Sequence, residues 1–263
     1  MSAGQADKVE RQRAHFNTIA SRYREARQHE NHLHLKKRLW RYFFQDKRHL
    51  AVPGMSVLEP MCGYGDGKQI LEDHLGVETT YEGFDYSDEV VKHLKAHEPA
   101  LHVYQQDVTT YRPTRQYDVV VIIGALHHVP SHAAAVIASL ASAVKPGGHF
   151  VSYEPTQNNW LFRAVRRAIY RRNDLFDAET ERAFDLPPFN RMFLDAGLEI
   201  VDQIYPGLAA FVLYYNPDAF PWLNVGGTRM VDALFALDRR FFRNWIGRRF
   251  SFATITLFRK PAA

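Results

Sequence analysis

One stretch constrains this chain more than any other: Val57-Leu58-Glu59-Pro60-Met61-Cys62-Gly63-Tyr64-Gly65-Asp66-Gly67. A short apolar run ends in an acid, a glycine cluster follows, and a helical pattern from Lys68 to Leu75 begins at once. The order reads as strand, tight turn, helix. Such a turn sets backbone N–H groups and a helix N-terminus beside any ligand lying over the strand end. Gly63, Gly65 and Gly67 let the backbone take positive φ and let a ligand approach closely. Spacing separates the ligand classes that use such turns. A dinucleotide fingerprint, Gly-x-Gly-x-x-Gly, fails because Lys68 holds its last glycine position. A P-loop ending at Gly67-Lys68 fails twice, with Cys62 at its first glycine and Gln69 at its hydroxyl. What remains is an acid, three residues, then Gly-x-Gly, or an ordinary strand-to-helix turn.

With Val57-Leu58-Glu59 before it, that turn resembles the first motif of the class I S-adenosylmethionine (SAM)-dependent methyltransferases. Met61 departs from the family pattern, standing where most members carry the motif's first glycine. Later segments continue the resemblance. Thr79 to Asp85 reads as a second strand ending in an acid, 26 residues after Glu59. A carboxylate there offers paired acceptors to the vicinal hydroxyls of a ribose, with Tyr86 against the adenine; a plain turn residue is the other reading. Ser87 reads as the N-cap of a helix reaching about His97. Leu101 to Val108 alternates as a third strand, and Asp107 ends it. The resemblance implies that Asp107 accepts from the adenine amine while the Val108 N–H meets a ring nitrogen.

Tyr117 to Gly124 is nearly continuous apolar sequence, as in a parallel strand covered on both faces. Ala125-Leu126-His127-His128-Val129 follows, then a helix over about 131–144, then Lys145-Pro146-Gly147-Gly148 and a fifth strand, His149 to Glu154. The Leu-His-His-Val and Lys-Pro-Gly-Gly segments again resemble the family, so the likeness covers about residues 16–155. Strands six and seven fall at Leu198–Tyr205 and Ser251–Arg259, and the resemblance makes the last one antiparallel. The expected fold is a Rossmann-like α/β unit. It has a seven-stranded, mostly parallel sheet with helices on both faces, a helical cap over residues 1–50, and a SAM-binding domain over 51–263. Helical inserts after strand 5 (about 156–190) and before strand 7 (about 206–250) complete it.

In the cap, Phe16, Ile19, Ala20 and Tyr23 share one helical face, and Leu33, Leu35, Leu39, Trp40, Phe43 and Phe44 mark a second helix. The resemblance puts Tyr23 at the methionine end of SAM; simple packing of that helix is the alternative. His15, His29, His32 and His34 miss the zinc-protease spacing and read as a solvated polar face. The first insert carries Trp160, Leu161 and Phe162 with Arg163, Arg166, Arg167, Arg171 and Arg172. The second carries Leu208 to Tyr215 and a basic apolar helix from Val231 to Ile246. These inserts read as a lid over an aromatic acceptor pocket, with a dimer face or a membrane surface as other uses.

Charge and composition exclude several classes. Residues 51–156 hold 6 basic and 13 acidic side chains, against 12 and 5 in residues 1–50 and 8 and 2 in residues 228–263. An acidic middle is a poor polyanion groove, and no RNA-binding appendage is recognisable, so no nucleic-acid partner is expected. Cys62 is the only cysteine, which rules out a disulfide framework or a multi-cysteine metal site, and no metal is expected. The N-terminal stretch lacks the apolar core of a signal peptide, and a cytoplasmic setting is expected.

The cofactors implied by the resemblance are SAM and its product S-adenosyl-L-homocysteine (SAH), held by Tyr23, Glu59, Gly63, Gly65, Asp85, Tyr86, Asp107, Val108 and Gly124. His128 and Glu154, at the ends of strands 4 and 5, are the candidate bases. The expected activity is methylation of a small-molecule acceptor, in particular O-methylation of a metabolite or sugar-type intermediate. Two alternatives stay open: a catalytically silent SAM-binding scaffold, and an aminopropyl-type transferase, for which no paired acids are seen beyond strand 5.

Overall fold

The computed structural model describes residue 25 and residues 27–158, 183–217 and 221–262. The expected first cap helix with Tyr23, and the arginine-rich insert from Trp160 to Arg172, lie outside the described residues. Seven strands form one sheet: β1 (Met55–Pro60), β2 (Thr79–Asp85), β3 (His102–Gln105), β4 (Tyr117–Ile123), β5 (Val144–Pro155), β6 (Glu199–Ile204) and β7 (Ala253–Arg259). Their order is β3-β2-β1-β4-β5-β7-β6. Strands β1 to β5 pair in parallel, and β7 runs antiparallel between β5 and β6. The chain winds outward from β1 to β3 and then returns to β4 on the other side of β1. The carboxyl ends of β1 and β4 therefore flank the switch point, where open α/β sheets hold ligands.

Eight α-helices are described: α1 (Glu30–Phe44), α2 (Asp66–Leu75), α3 (Asp88–His97), α4 (Ala133–Ser142), α5 (Leu186–Asp195), α6 (Ala209–Tyr214), α7 (Thr228–Asp238) and α8 (Trp245–Phe250). Strand alternation divides the core in two. Val57, Val121, Val151 and Tyr153 face one cluster with Trp40, Phe43 and Phe44 of α1, Leu71 of α2 and Phe235 of α7. Leu58, Val120, Ile122 and Phe150 face the other, with Val136 and Leu140 of α4 and Phe193 of α5. The central strands are thus buried on both faces, as their unbroken apolar sequence requires. The Ser87 Oγ accepts from the Val90 N–H at 3.3 Å, which starts α3 where the sequence placed its cap.

Several features differ from the sequence reading. β5 begins at Val144 rather than His149, so it takes in Lys145-Pro146-Gly147-Gly148. β3 stops at Gln105, so Asp107 lies beyond the strand rather than at its end. The apolar helix expected from Val231 to Ile246 is two helices. α7 ends at Asp238, and Asn244 starts α8 by accepting the Ile246 and Gly247 N–H groups. The gap is held by Arg243, which forks onto Asp202 of β6. Apolar spacing continues through the break, but the chain must turn there to reach β7. His32 is 3% exposed rather than on a solvated face. Of its neighbours, His29 caps α1 by accepting the Asn31 N–H and His34 bonds Asp232 at 2.9 Å; His15 lies outside the described residues.

Candidate active site

Glu59 ends β1 and is 2% exposed. Its Oε1 accepts the Gly67 N–H at 2.9 Å and its Oε2 accepts the Tyr81 hydroxyl at 2.7 Å. Both oxygens are therefore engaged beneath the glycine turn, in the first turn of α2 and in β2. A Cβ at Gly67 would stand 2.7 Å from that carboxyl group, so a larger residue there would push Glu59 from its place. Burial raises the Glu59 pKa to about 8, opposed by the Tyr81 bond. Glu59 thus stands as a post under the turn, one oxygen on the α2 backbone and the other on the Tyr81 hydroxyl.

The turn above it is left-handed at three positions: Met61 (φ 53°), Gly63 (φ 50°) and Gly65 (φ 80°). Met61 is the only non-glycine residue with positive φ among those described. That conformation accounts for the glycine usual at this place in the family motif. The Met61 side chain packs half-buried against the Leu58–Phe84 cluster. Over Gly63, no atom lies within 4 Å of where a Cβ would stand, so the backbone there is open to a ligand.

Asp85 ends β2 at the same corner. Its Oδ2 accepts the Gly63 N–H at 3.0 Å and its Oδ1 the Ser87 N–H at 2.9 Å. Burial raises its pKa above the usual carboxylate value, while the Ser87 and Gly63 amides and the nearby His128 act the other way. The Tyr86 backbone N–H also bonds this carboxylate, whose two oxygens together offer the kind of paired acceptor that vicinal hydroxyls need. Tyr86 follows, half-buried, with its carbonyl accepting from Gln105 at 3.1 Å. Asp107 folds its Oδ1 back onto the N–H and hydroxyl of Thr109, both at 2.8 Å, and Val108 is buried beside it. Gly124 leaves β4 with φ 58°, and its N–H donates to the Tyr153 carbonyl at 2.6 Å.

Glu154 is 1% exposed and binds the loop after β4. Its Oε1 accepts the Ala125 and Leu126 N–H groups at 2.9 and 2.8 Å; its Oε2 meets the His127 N–H at 3.4 Å and Nδ1 at 3.0 Å. That set fixes the short 3-10 turn Leu126–His128 and holds the His127 ring 4.0 Å from that of His128. A carboxylate so engaged positions the histidines. His128 is close enough to Asp85 to lower its pKa, which puts this imidazole beside the β2 corner.

The sequence reading missed a second wall. His32 Nδ1 lies 2.9 Å from the Tyr215 carbonyl. A carbonyl can only accept, so Nδ1 carries the proton and Nε2 presents a lone pair. Burial, then Arg27 and Lys36, lower the His32 pKa to about 3, so the ring stays neutral. Tyr215 tilts against His32 at 5.1 Å, stacks on Phe211 at 4.7 Å and meets Tyr153 edge-on at 5.4 Å. Tyr153 bonds Gly124 through its backbone, so this aromatic wall stands next to the β4 corner. Among the described residues no group of three metal-ligating side chains is found.

Known proteins share this fold. A family described as the methyltransferase domain matches residues 23–203. The chain belongs to that family. The demethylmenaquinone methyltransferase of Listeria welshimeri is 25% identical over 173 residues, covering 57% of this chain and 73% of that protein. A chain of the complex between the Haloferax volcanii Trm112 methyltransferase activator and a methyltransferase superposes with a TM-score of 0.62 at 18% identity. That match covers 95% of this chain and 98% of the other. The cyclopropane synthase MmaA2 of Mycobacterium tuberculosis gives 0.58 at 13% identity over 83% of each chain. The methyltransferase-domain family implies SAM, and the residues present fit it. Asp85 offers a bidentate acceptor pair, Gly63 leaves open space above its backbone, and Asp107 Oδ2 has no partner among the described residues.

Proposed function

We propose that this chain transfers the methyl group of SAM to the hydroxyl of a small, flat or ring-shaped molecule. When bound, SAM supplies a methyl carbon already activated by its sulfonium, so the protein's work is alignment and exclusion of water. Asp85 and Asp107 hold the adenosine half, and Glu59 keeps the turn in shape from below. Glu154 pins the loop that carries His127 and His128, and His128 belongs with the cofactor side, near Asp85.

The observation that carries the hydroxyl reading is His32. It is a neutral imidazole with Nε2 presenting a lone pair, fixed by a backbone carbonyl within a wall of Tyr215, Phe211 and Tyr153. Such a group accepts a hydrogen bond from an acceptor hydroxyl and turns its oxygen lone pair outward. With a pKa near 3, His32 orients the hydroxyl by accepting its hydrogen bond, and the proton leaves to bulk solvent only after the methyl is transferred and the product departs. The relatives are named for unlike molecules, demethylmenaquinone and cyclopropane products, so the acceptor does not follow from kinship.

The test is transfer of radiolabelled methyl from SAM to a panel of hydroxylated aromatics and sugars, each paired with its deoxy or amino analogue. The proposal expects label on hydroxylated members only, and His32→Ala to reduce transfer by about 10–100-fold with SAH affinity unchanged. Label on amines or carbon instead, or full activity in His32→Ala, contradicts it. SAM binding without transfer to any member would favour a silent scaffold.

A further inference from the structure

We propose that the edge formed by residues 239–250 docks onto a bilayer surface rich in anionic lipids. This stretch, Arg-Arg-Phe-Phe-Arg-Asn-Trp-Ile-Gly-Arg-Arg-Phe, holds five arginines and no acid. Arg243 is committed to Asp202. Among the described residues, Arg239, Arg240, Arg248 and Arg249 have no carboxylate partner, and all four are exposed. The stretch is knitted into one unit by the Asn244 side chain, which donates to the Arg240 carbonyl, and by the Arg248 N–H, which donates to the Asn244 carbonyl. Trp245 projects from it 71% exposed, and Phe250 is exposed at the other end of α8.

Trp245, Arg248 and Arg249 also line a cleft of about 570 Å3, closed by Pro187, Pro188 and Asn158. The Asn158 side chain donates to the Arg248 carbonyl, and Arg249 donates to the Asn158 carbonyl, so the cleft floor is built. Two guanidinium groups beside an exposed indole suit a phosphate headgroup with its glycerol. Arginine binds phosphate oxygens through a planar fork, and tryptophan settles at the headgroup level of a bilayer. A nucleic-acid backbone fits less well. The Asp185 carboxylate and the two prolines interrupt the cleft wall, where a continuous phosphate track would need cations.

The position has a consequence. α8 leads directly into β7, whose first residue, Ala253, pairs with Pro155 at the carboxyl end of β5. Docking through α8 would turn the sheet's ligand-bearing edge toward the membrane. An acceptor carried in the lipid phase could then reach the site, a corollary that rests on the proposed function, whereas the docking itself does not.

Vesicle flotation of the full chain tests it, with phosphatidylcholine alone against phosphatidylcholine containing about 30% phosphatidylglycerol. The protein should float with the anionic vesicles only, and about 0.5 M salt should release it. Arg248→Ala/Arg249→Ala should weaken binding about 10–30-fold, at roughly 1 kcal/mol per arginine. Trp245→Ser should weaken it independently, and Arg239→Ala/Arg240→Ala provides a second charge variant should the first fail to fold. SAH affinity, measured in parallel, should stay unchanged in all three. Equal binding to neutral vesicles, no binding to either, unchanged binding in folded arginine variants, or preference for single-stranded RNA over anionic vesicles would overturn the proposal.

Discussion

Replacing Glu59 by glutamine should stabilise the cofactor-free protein at alkaline pH and change little at acidic pH. Burial holds this carboxyl at a pKa of about 8, against an ordinary 4.5. Between those values the folded protein keeps a proton that the unfolded chain has released. Its contribution is therefore intact below about pH 4.5 and is lost as pH rises through 8, at about 1.4 kcal/mol per pH unit. Over the whole window the loss is on the order of 5 kcal/mol, an upper figure for a fully desolvated site. Glutamine has the same shape and never ionises; its oxygen can still accept the Gly67 N–H while its NH2 donates to the Tyr81 oxygen, reversing that bond. Urea denaturation at about pH 5.0, 7.0 and 8.5 would give the stability difference between the two proteins at each pH. The difference should grow with pH and favour glutamine by several kcal/mol at the highest. A constant difference, or one favouring glutamate at pH 8.5, would refute the assignment of Glu59 as a dry, uncharged post.

Two further outcomes follow from the same geometry. Glu154→Ala would strand the buried amides of Ala125 and Leu126 and free the His127 ring, costing about 3–5 kcal/mol; a loss below 1 kcal/mol by urea denaturation would show that the loop holds itself. His32 has a depressed pKa, so its contribution is intact above pH 6.5 and lost as pH falls toward 3, again at about 1.4 kcal/mol per unit. His32→Gln should flatten the acid limb of the stability curve, and an unchanged slope below pH 6 would place the ring in solvent.

Much of the fold could be read because its signals are local. The Glu59-to-Gly67 turn, the Ser87 cap and the apolar Tyr117–Ile123 strand each follow from residues adjacent in sequence. The antiparallel β7 was legible only through the family resemblance. What escaped depends on distant partners. His32 lies in a polar-looking run and is buried because α6 brings the Tyr215 carbonyl across 183 residues. The break after Asp238 is hidden by Phe241, Phe242, Trp245 and Ile246, which continue the helical apolar spacing. The decisive contact, Arg243 on Asp202, reaches back 41 residues. Glu59, Asp85 and Glu154 do fall at the carboxyl ends of their strands, whereas Asp107 lies past β3, and sequence could not say which oxygens the protein already uses. Glu59 and Glu154 are engaged internally, and Asp85 retains acceptor capacity at the crevice.

The account rests on Asp85 as the acceptor pair for an adenosine ribose. Calorimetric titration of SAH into the wild-type protein and into Asp85→Ala tests this most directly. The account predicts saturable one-to-one binding to the wild type and affinity weakened by roughly 1–3 kcal/mol in the variant, with the fold intact by circular dichroism. Equal affinity in the two proteins, or no SAH binding by the wild type, would contradict it.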